Sequence, residues 1–288
     1  MNRTIHSNSG CADVDAAVPG GVYLCQVNEG VSCGACCGLY NVADTSRDHL
    51  DNMLGNRTRR FADVPRTVAG IDAFALQNGS IESQQRPFAE FHHCPFIGLI
   101  GARRGRVGCL LHPLADGNHG VDFRGLSYYG GLACRTYFCP ATHTLAERFK
   151  RIVRASILDW HLYGLVVTEA DLLAGLFQQI EDRLGHRVEL ALFENRPAAG
   201  RCLTQLLELK LTWPHRPPQA DTPCHYFFFD VAYTKPAIDY ARLGVAASRY
   251  DLILRELVSE FHSPADLRQA EQLIEQGIDT VAKALAAV

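Results

Sequence analysis

The sequence predicts a mainly α protein in which an irregular, cysteine-rich module is followed by a helical region, with little strand. Two observations carry that prediction. Nine of the eleven cysteines lie at or before Cys139, in a stretch rich in glycine and in short turns. Beyond about residue 143, apolar residues recur every three or four positions between helix-type start and stop residues. The expected division is an N-terminal segment over 1–29, a cysteine-cluster region over 30–143 and a helical region over 144–288. With 288 residues and 47% hydrophobic content, the chain can bury a core without disulfides.

In the first half, the segments Gly30 to Gly38, Gly98 to Gly108 and Gly117 to Gly131 read as irregular backbone that turns often enough to bring distant cysteines together. In the second half, Thr144-Leu145-Ala146-Glu147 has the form of a capping box. Leu145, Phe149, Ile152, Val153, Ile157 and Trp160 follow at helical spacing, and Gly164 offers a stop. Thr168 opens a second helix, whose stripe runs through Leu172, Leu173, Leu176, Phe177, Ile180 and Leu184 to Gly185. A third fits between Pro197 and Pro214, because proline is tolerated in a first turn and disfavoured inside a helix. Ser248 and Ser263 mark the starts of two more. Only His225 to Phe229 reads as strand. No fixed-period repeat or low-complexity tract stands out.

Seven cysteines form four short clusters: Cys33, Cys36 and Cys37; Cys94; Cys109; and Cys134 with Cys139. Cys-x-x-Cys presents two thiols on one turn, a spacing suited to one metal ion or one edge of an iron-sulfur cluster, and the later clusters can close the shell. These seven are the candidate metal ligands, and the cofactor they suit is an iron-sulfur cluster or zinc. Seven exceed the four needed by one site, so either two sites or one site with spare thiols follows. Cys36 and Cys37 are adjacent, and neighbouring side chains diverge, so they serve different centres or leave one thiol free. His112, in a Cys-x-x-His relation to Cys109, is either a ligand or an ordinary hydrogen-bonded histidine; His92 and His93 precede Cys94. Cys11, Cys202 and Cys224 read as packing residues.

In its order of elements, Gly34-Ala35-Cys36-Cys37-Gly38, Cys94-Pro95-Phe96, Cys109, then Cys134-Arg135 with Tyr137 and Cys139, the chain resembles the YkgJ-type cysteine-cluster family over about residues 30 to 140. That resemblance implies zinc or iron chelation, with iron-sulfur support from a related module in flagellin lysine methylases. Two departures stand out. Gly30 occupies the place of the family's first cysteine, for which Cys25 is the candidate replacement. Residues 110–133 replace a short segment between the third and fourth clusters, and the part from Asp116 to Tyr129 reads as a surface loop or as the wall of a pocket.

Arg135, next to Cys134, reads either as a cofactor-binding residue whose charge and donors would stabilise the thiolates or as one half of an ordinary surface ion pair. The catalytic residues are unknown. A metal-dependent protein-modifying transferase and a structural zinc module are the alternative functions, and a Cys94–His93 thiol enzyme is the weakest, since it leaves six thiols unexplained. A glycine-rich dinucleotide fingerprint is absent from the sequence. A net charge of -3, from 28 basic and 31 acidic residues, argues against nucleic acid as partner. The basic runs Arg57-Thr58-Arg59-Arg60 and Arg103-Arg104-Gly105-Arg106 read as solvated loops. The expected partner is an unidentified protein or small molecule. No membrane segment is expected, because the aromatic run Tyr226-Phe227-Phe228-Phe229 ends at Asp230. An N-terminus without a signal-type apolar run points to a reducing cytoplasm.

Overall fold

Helices dominate because the apolar stripes of the second half find one another. The computed structural model of the protein describes residues 14–81, 86–88, 91, 93–217 and 235–287. Its helices are α1 (Arg47–Phe61), α2 (Val68–Ile81), α3 (Pro140–Thr144), α4 (Glu147–Ser156), α5 (Trp160–Val166) and α6 (Ala170–Leu184), followed by α7 (Leu190–Glu194), α8 (Pro197–Leu207), α9 (Leu209–Thr212), α10 (Tyr240–Leu243), α11 (Asp251–Glu256) and α12 (Pro264–Ala286). Among the described residues the one sheet is an antiparallel hairpin of β1 (Ile97–Ile100) and β2 (Arg106–Cys109), in the register Ile97 to Cys109. The protein is mainly α, as its sequence predicts. No described helix is long and apolar enough to cross a membrane.

The stripe Leu172, Leu173, Leu176, Phe177 and Ile180 is buried on α6, which ends on Gly185 in the left-handed region. Pro197 sits in the first turn of α8, and Ser263 caps α12 through a full capping box with Asp266. Helix α12 packs on α8 and α6. Ser248 acts one step earlier than expected: its hydroxyl accepts from the Tyr250 N–H (3.1 Å), and α11 follows. The strand expected at His225 to Phe229 lies outside the described residues.

The single helix expected from Thr144 to Gly164 is instead three. Pro140 starts α3, and the Thr144 hydroxyl bonds back to the Pro140 carbonyl (3.1 Å) instead of capping α4. Ile157 turns extended, and the Asp159 carboxylate then caps α5, accepting from the His161 and Leu162 N–H groups (2.9 and 3.2 Å). Gly164 lies inside α5 because Tyr40 packs against it; a Cβ there would stand 2.3 Å from the Tyr40 hydroxyl. The apolar period was sound, and the caps cut it.

The first half is less irregular than its glycines suggest. Helices α1 and α2 and the hairpin enclose a small aromatic core, in which Phe61 meets Phe74 edge to face (5.0 Å) and Phe74 stacks on Phe96 (5.9 Å). Arg57 and Thr58, read as part of a solvated run, are buried on α1; Thr58 Oγ1 accepts from the Leu99 N–H (2.8 Å) and fastens the hairpin. The main core takes residues from both sides of residue 143: Val22, Leu24, Leu39 and Tyr40 join Trp160, Tyr163, Phe177 and Ile274. Each such large side chain contributes about 1.5–3 kcal/mol on burial. A buried ion cluster of Glu169, Lys210, Lys235 and Glu256 ties α9 and α11 to the start of α6.

Candidate metal centre

Five separated segments deliver cysteines to one place. The Cys33 N–H donates to the Cys25 carbonyl (2.8 Å), so these residues face each other across a two-residue antiparallel pairing that includes the bridge between Gln26 and Ser32. Ala35–Cys37 form a tight 3₁₀ turn, closed by Gly38 in the left-handed region at φ 72°. The Cys94 N–H donates to the Cys37 carbonyl (2.8 Å), locking the second cluster to the first. Cys109 ends β2 opposite Ile97, and Cys134 ends a π turn over Gly130–Cys134. Cys139 is the residue before α3, with its sulfur 3.6 Å from Thr142 Oγ1.

These eight thiols, the seven predicted ligands and Cys25, line one cavity of about 260 Å³. Cys134 is exposed and the other seven are partly buried; all are free of disulfides. Cys202 is free as well but packs against the main core, away from the cavity. Cys11, Cys224 and His92 lie outside the described residues. No carboxylate is among the described residues that line the cavity, which disfavours hard cations such as calcium or magnesium. Among the described residues, no three His, Cys, Asp or Glu side chains are grouped closely enough to hold a single metal ion. Gln26 Oε1 and Thr168 Oγ1 are buried atoms of cavity-lining residues and make no hydrogen bond among the described residues.

Burial pushes the thiols of Cys25, Cys33, Cys109, Cys134 and Cys139 upward, and that of Cys94 to about 12. The pair at the turn splits: the Cys37 thiol donates to Cys36, raising Cys37 and lowering Cys36. Thiols packed this way stay protonated until a cation supplies countercharge. Basic groups stand close by. Arg57 donates to the Cys94 carbonyl (3.1 Å), and Arg124 to the Cys134 carbonyl (3.2 Å). Lys150 is buried and donates to the Gly20 and Thr142 carbonyls (2.5 and 2.8 Å), the latter three residues beyond Cys139.

The predicted neighbours fall differently. Arg135 lines the cavity, but its Nε donates to Asp122 (2.9 Å) and its side chain is half exposed. Arg124, from the segment read as loop or pocket wall, is the inner arginine: it clamps Asp122 and reaches Cys134. Arg124 and Tyr129 line the cavity, so that segment forms part of its wall. His112 lines it too; burial lowers its pKa to about 4, and its Nδ1 accepts from the Leu114 N–H (3.1 Å). His93 turns from the thiols, with Nδ1–H donating to the Gly38 carbonyl (2.8 Å) and Nε2 accepting from Arg57 (2.6 Å), which leaves Cys94 without a base on that ring. Tyr23, Gln26 and Thr168 carry no sequence signal as wall residues, because nothing in a linear pattern places them beside distant cysteines; for Arg124 the signal is its place in the inserted segment.

Comparison with known proteins gives no match, whether by family model, curated sequence or solved structure.

Proposed function

We propose that this chain is a cysteine-cluster metal protein whose cavity holds iron-sulfur through its thiols. The observation that supports this most is the convergence of eight cysteines from five segments on one cavity free of lining carboxylates. Zinc would use only four of the eight thiols, and the thiol-rich lining suits either group, so a structural zinc site is the second reading.

Cys25, Cys33, Cys36, Cys37, Cys94, Cys109, Cys134 and Cys139 are the residues that would hold it. Such a group supplies one-electron transfer when bound. The chain's own part is to position and to compensate: Arg57, Arg124 and Lys150 bring fixed positive charge against segments whose thiols must lose protons. Tyr23, Tyr137 and Phe138 restrict water at the wall. The resemblance of residues 30 to 140 to the YkgJ-type family agrees with thiolate ligation and belongs to this proposal. So does a cytoplasmic location, since the nine described cysteines are free and suit a reducing compartment.

Elemental analysis and an absorption spectrum on protein purified without oxygen test the reading. Iron with acid-labile sulfide and broad visible absorption is the expected result. Zinc alone would overturn the iron assignment and turn the cavity into a structural site. A metal-free protein that takes up neither metal on reconstitution would overturn the proposal as a whole.

A further inference from the structure

We infer that His112 is a hydrogen-bond donor to the metal group and not one of its ligands: the neutral ring carries its hydrogen on Nε2 and gives it to a sulfur at the end of the cavity where the Cys109 and Cys134 segments meet. This rests on the iron-sulfur reading above and adds a residue that tunes the group without binding its iron.

The turn that carries His112 fixes the tautomer. The Leu114 N–H donates to Nδ1 (3.1 Å), so Nδ1 presents a lone pair, and in a neutral imidazole the other nitrogen then holds the hydrogen. A ligating histidine has the reverse arrangement, giving its outer N–H to a carbonyl, carboxylate or water and binding the metal through a bare nitrogen. The bare nitrogen of His112 is already taken. Turning the ring over would set a carbon against the Leu114 N–H, which has no other acceptor among the described residues. The turn is pinned on both sides: the His112 N–H donates to the Cys109 carbonyl (2.9 Å), and its carbonyl accepts from the Ala115 N–H (2.9 Å) and from Asn118 Nδ2 (2.9 Å). The buried Asn118 also donates to the Leu110 carbonyl (2.8 Å). With both backbone groups spent, the ring is the polar part of His112 left for the cavity that this residue lines.

Backbone tethers place the ring. The Phe123 N–H donates to the Leu111 carbonyl (3.0 Å), which brings Asp122 to Arg124 beside His112, and Arg124 reaches on to the Cys134 carbonyl (3.2 Å). Among the described residues Nε2 has no hydrogen-bond partner, and it is not sealed off from open volume. Asp122, the carboxylate of the neighbouring segment, is taken up by Arg124 and Arg135. The described acceptors on the cavity wall are Gln26, Thr168, the tyrosine hydroxyls and the eight cysteines. Once metal binding has removed their protons, the cysteine sulfurs are the charged acceptors and draw the stronger hydrogen bond. Such a bond spreads negative charge away from the cluster, so it favours the reduced, more negative state and raises the potential.

The full chain, reconstituted without oxygen as wild type, His112→Phe and His112→Gln, tests this through iron content and a reductive titration followed by electron paramagnetic resonance. All three should hold the same iron. His112→Phe should make reduction about tenfold less favourable, about 59 mV for one electron, and His112→Gln, which keeps an N–H donor, should recover part of that shift. Loss of iron from His112→Phe, with the nitrogen hyperfine coupling of a direct iron–imidazole bond in the wild type, would make His112 a ligand and overturn the inference. Full iron with an unmoved potential would overturn it as well. Both results leave the iron-sulfur reading standing, whereas a chain that takes up zinc alone or no metal refutes that reading and removes this inference with it. Circular dichroism checks that the variants fold. Where His112→Phe does not, nitrogen magnetic resonance on the metal-free wild type decides: hydrogen on Nε2 and none on Nδ1 is expected, and the reverse tautomer would overturn the inference.

Discussion

Phe149 and Phe177 stack at 4.3 Å inside the helical region, among side chains from α4, α6 and α12 with almost no access to solvent. At the other end of the same core, the Cys33–Cys37 turn is held by single backbone hydrogen bonds to Cys25 and Cys94 and borders open volume. The contrast separates two kinds of order. Apolar packing is complete in itself, since every methylene buried is a contribution already made. A wall of buried thiols is incomplete, because its donors reach their favourable state only against a cation. On the proposed reading, the cavity segments, although they lend Val22, Leu24, Val31, Ala35 and Leu39 to the same core, would gain further stability from a bound metal.

The largest test of that contrast is Phe177→Ala. Truncating this buried, stacked ring should lower stability by about 3–5 kcal/mol in chemical denaturation, while metal bound per folded chain stays unchanged. A loss of bound metal without a loss of stability would reverse the roles assigned to the two regions. Next in size, if the cavity holds metal as proposed, stripping it with a chelator should speed amide exchange by about tenfold or more across residues 22–40, 94–112 and 134–142. Residues 172–181 and 267–285 should keep their protection; a uniform rise would erase the distinction.

Lys150→Met sharpens the boundary between the regions. It removes the donor to the Gly20 and Thr142 carbonyls and should cost about 1–3 kcal/mol, with faster exchange around residues 18–25 and 139–145. Asp122 adds a pH signature. Hydrogen bonds from Arg124, then from Arg135, hold its carboxyl well below the usual carboxylate range. Its contribution is thus fully present above about pH 4 and fades as acid approaches the depressed folded value. Asp122→Asn should cost about 1 kcal/mol at neutral pH and progressively less below pH 4, measured by denaturation across that range. Smallest and most local, Ser263→Ala should cost about 1 kcal/mol through the lost α12 cap and leave the cavity segments unaffected in exchange.

What could be read in advance follows the range of the interaction. The stripes of α6 and α12 and the cap at Ser263 are local, so period and composition revealed them. The capping box at Thr144 misled, because Pro140 and Asp159 offered better caps on either side. Helix α1 is not legible in the apolar pattern, since its buried face includes Arg57 and Thr58, polar residues whose partners, the Cys94 carbonyl and Leu99, are far along the chain. Cys25 enters the sequence reading only as a substitute for Gly30, because its backbone pairing with Cys33 leaves no mark on the linear pattern.

The sequence by itself determined the helical character of the second half and the thiol chemistry of the first, because both depend on residue type and near-neighbour spacing. Only the tertiary structure decided that eight cysteines face one cavity and that Arg124 rather than Arg135 is the inner arginine. Those outcomes depend on which distant backbone groups find each other. Hydrogen bonds between segments many residues apart leave no period in the chain.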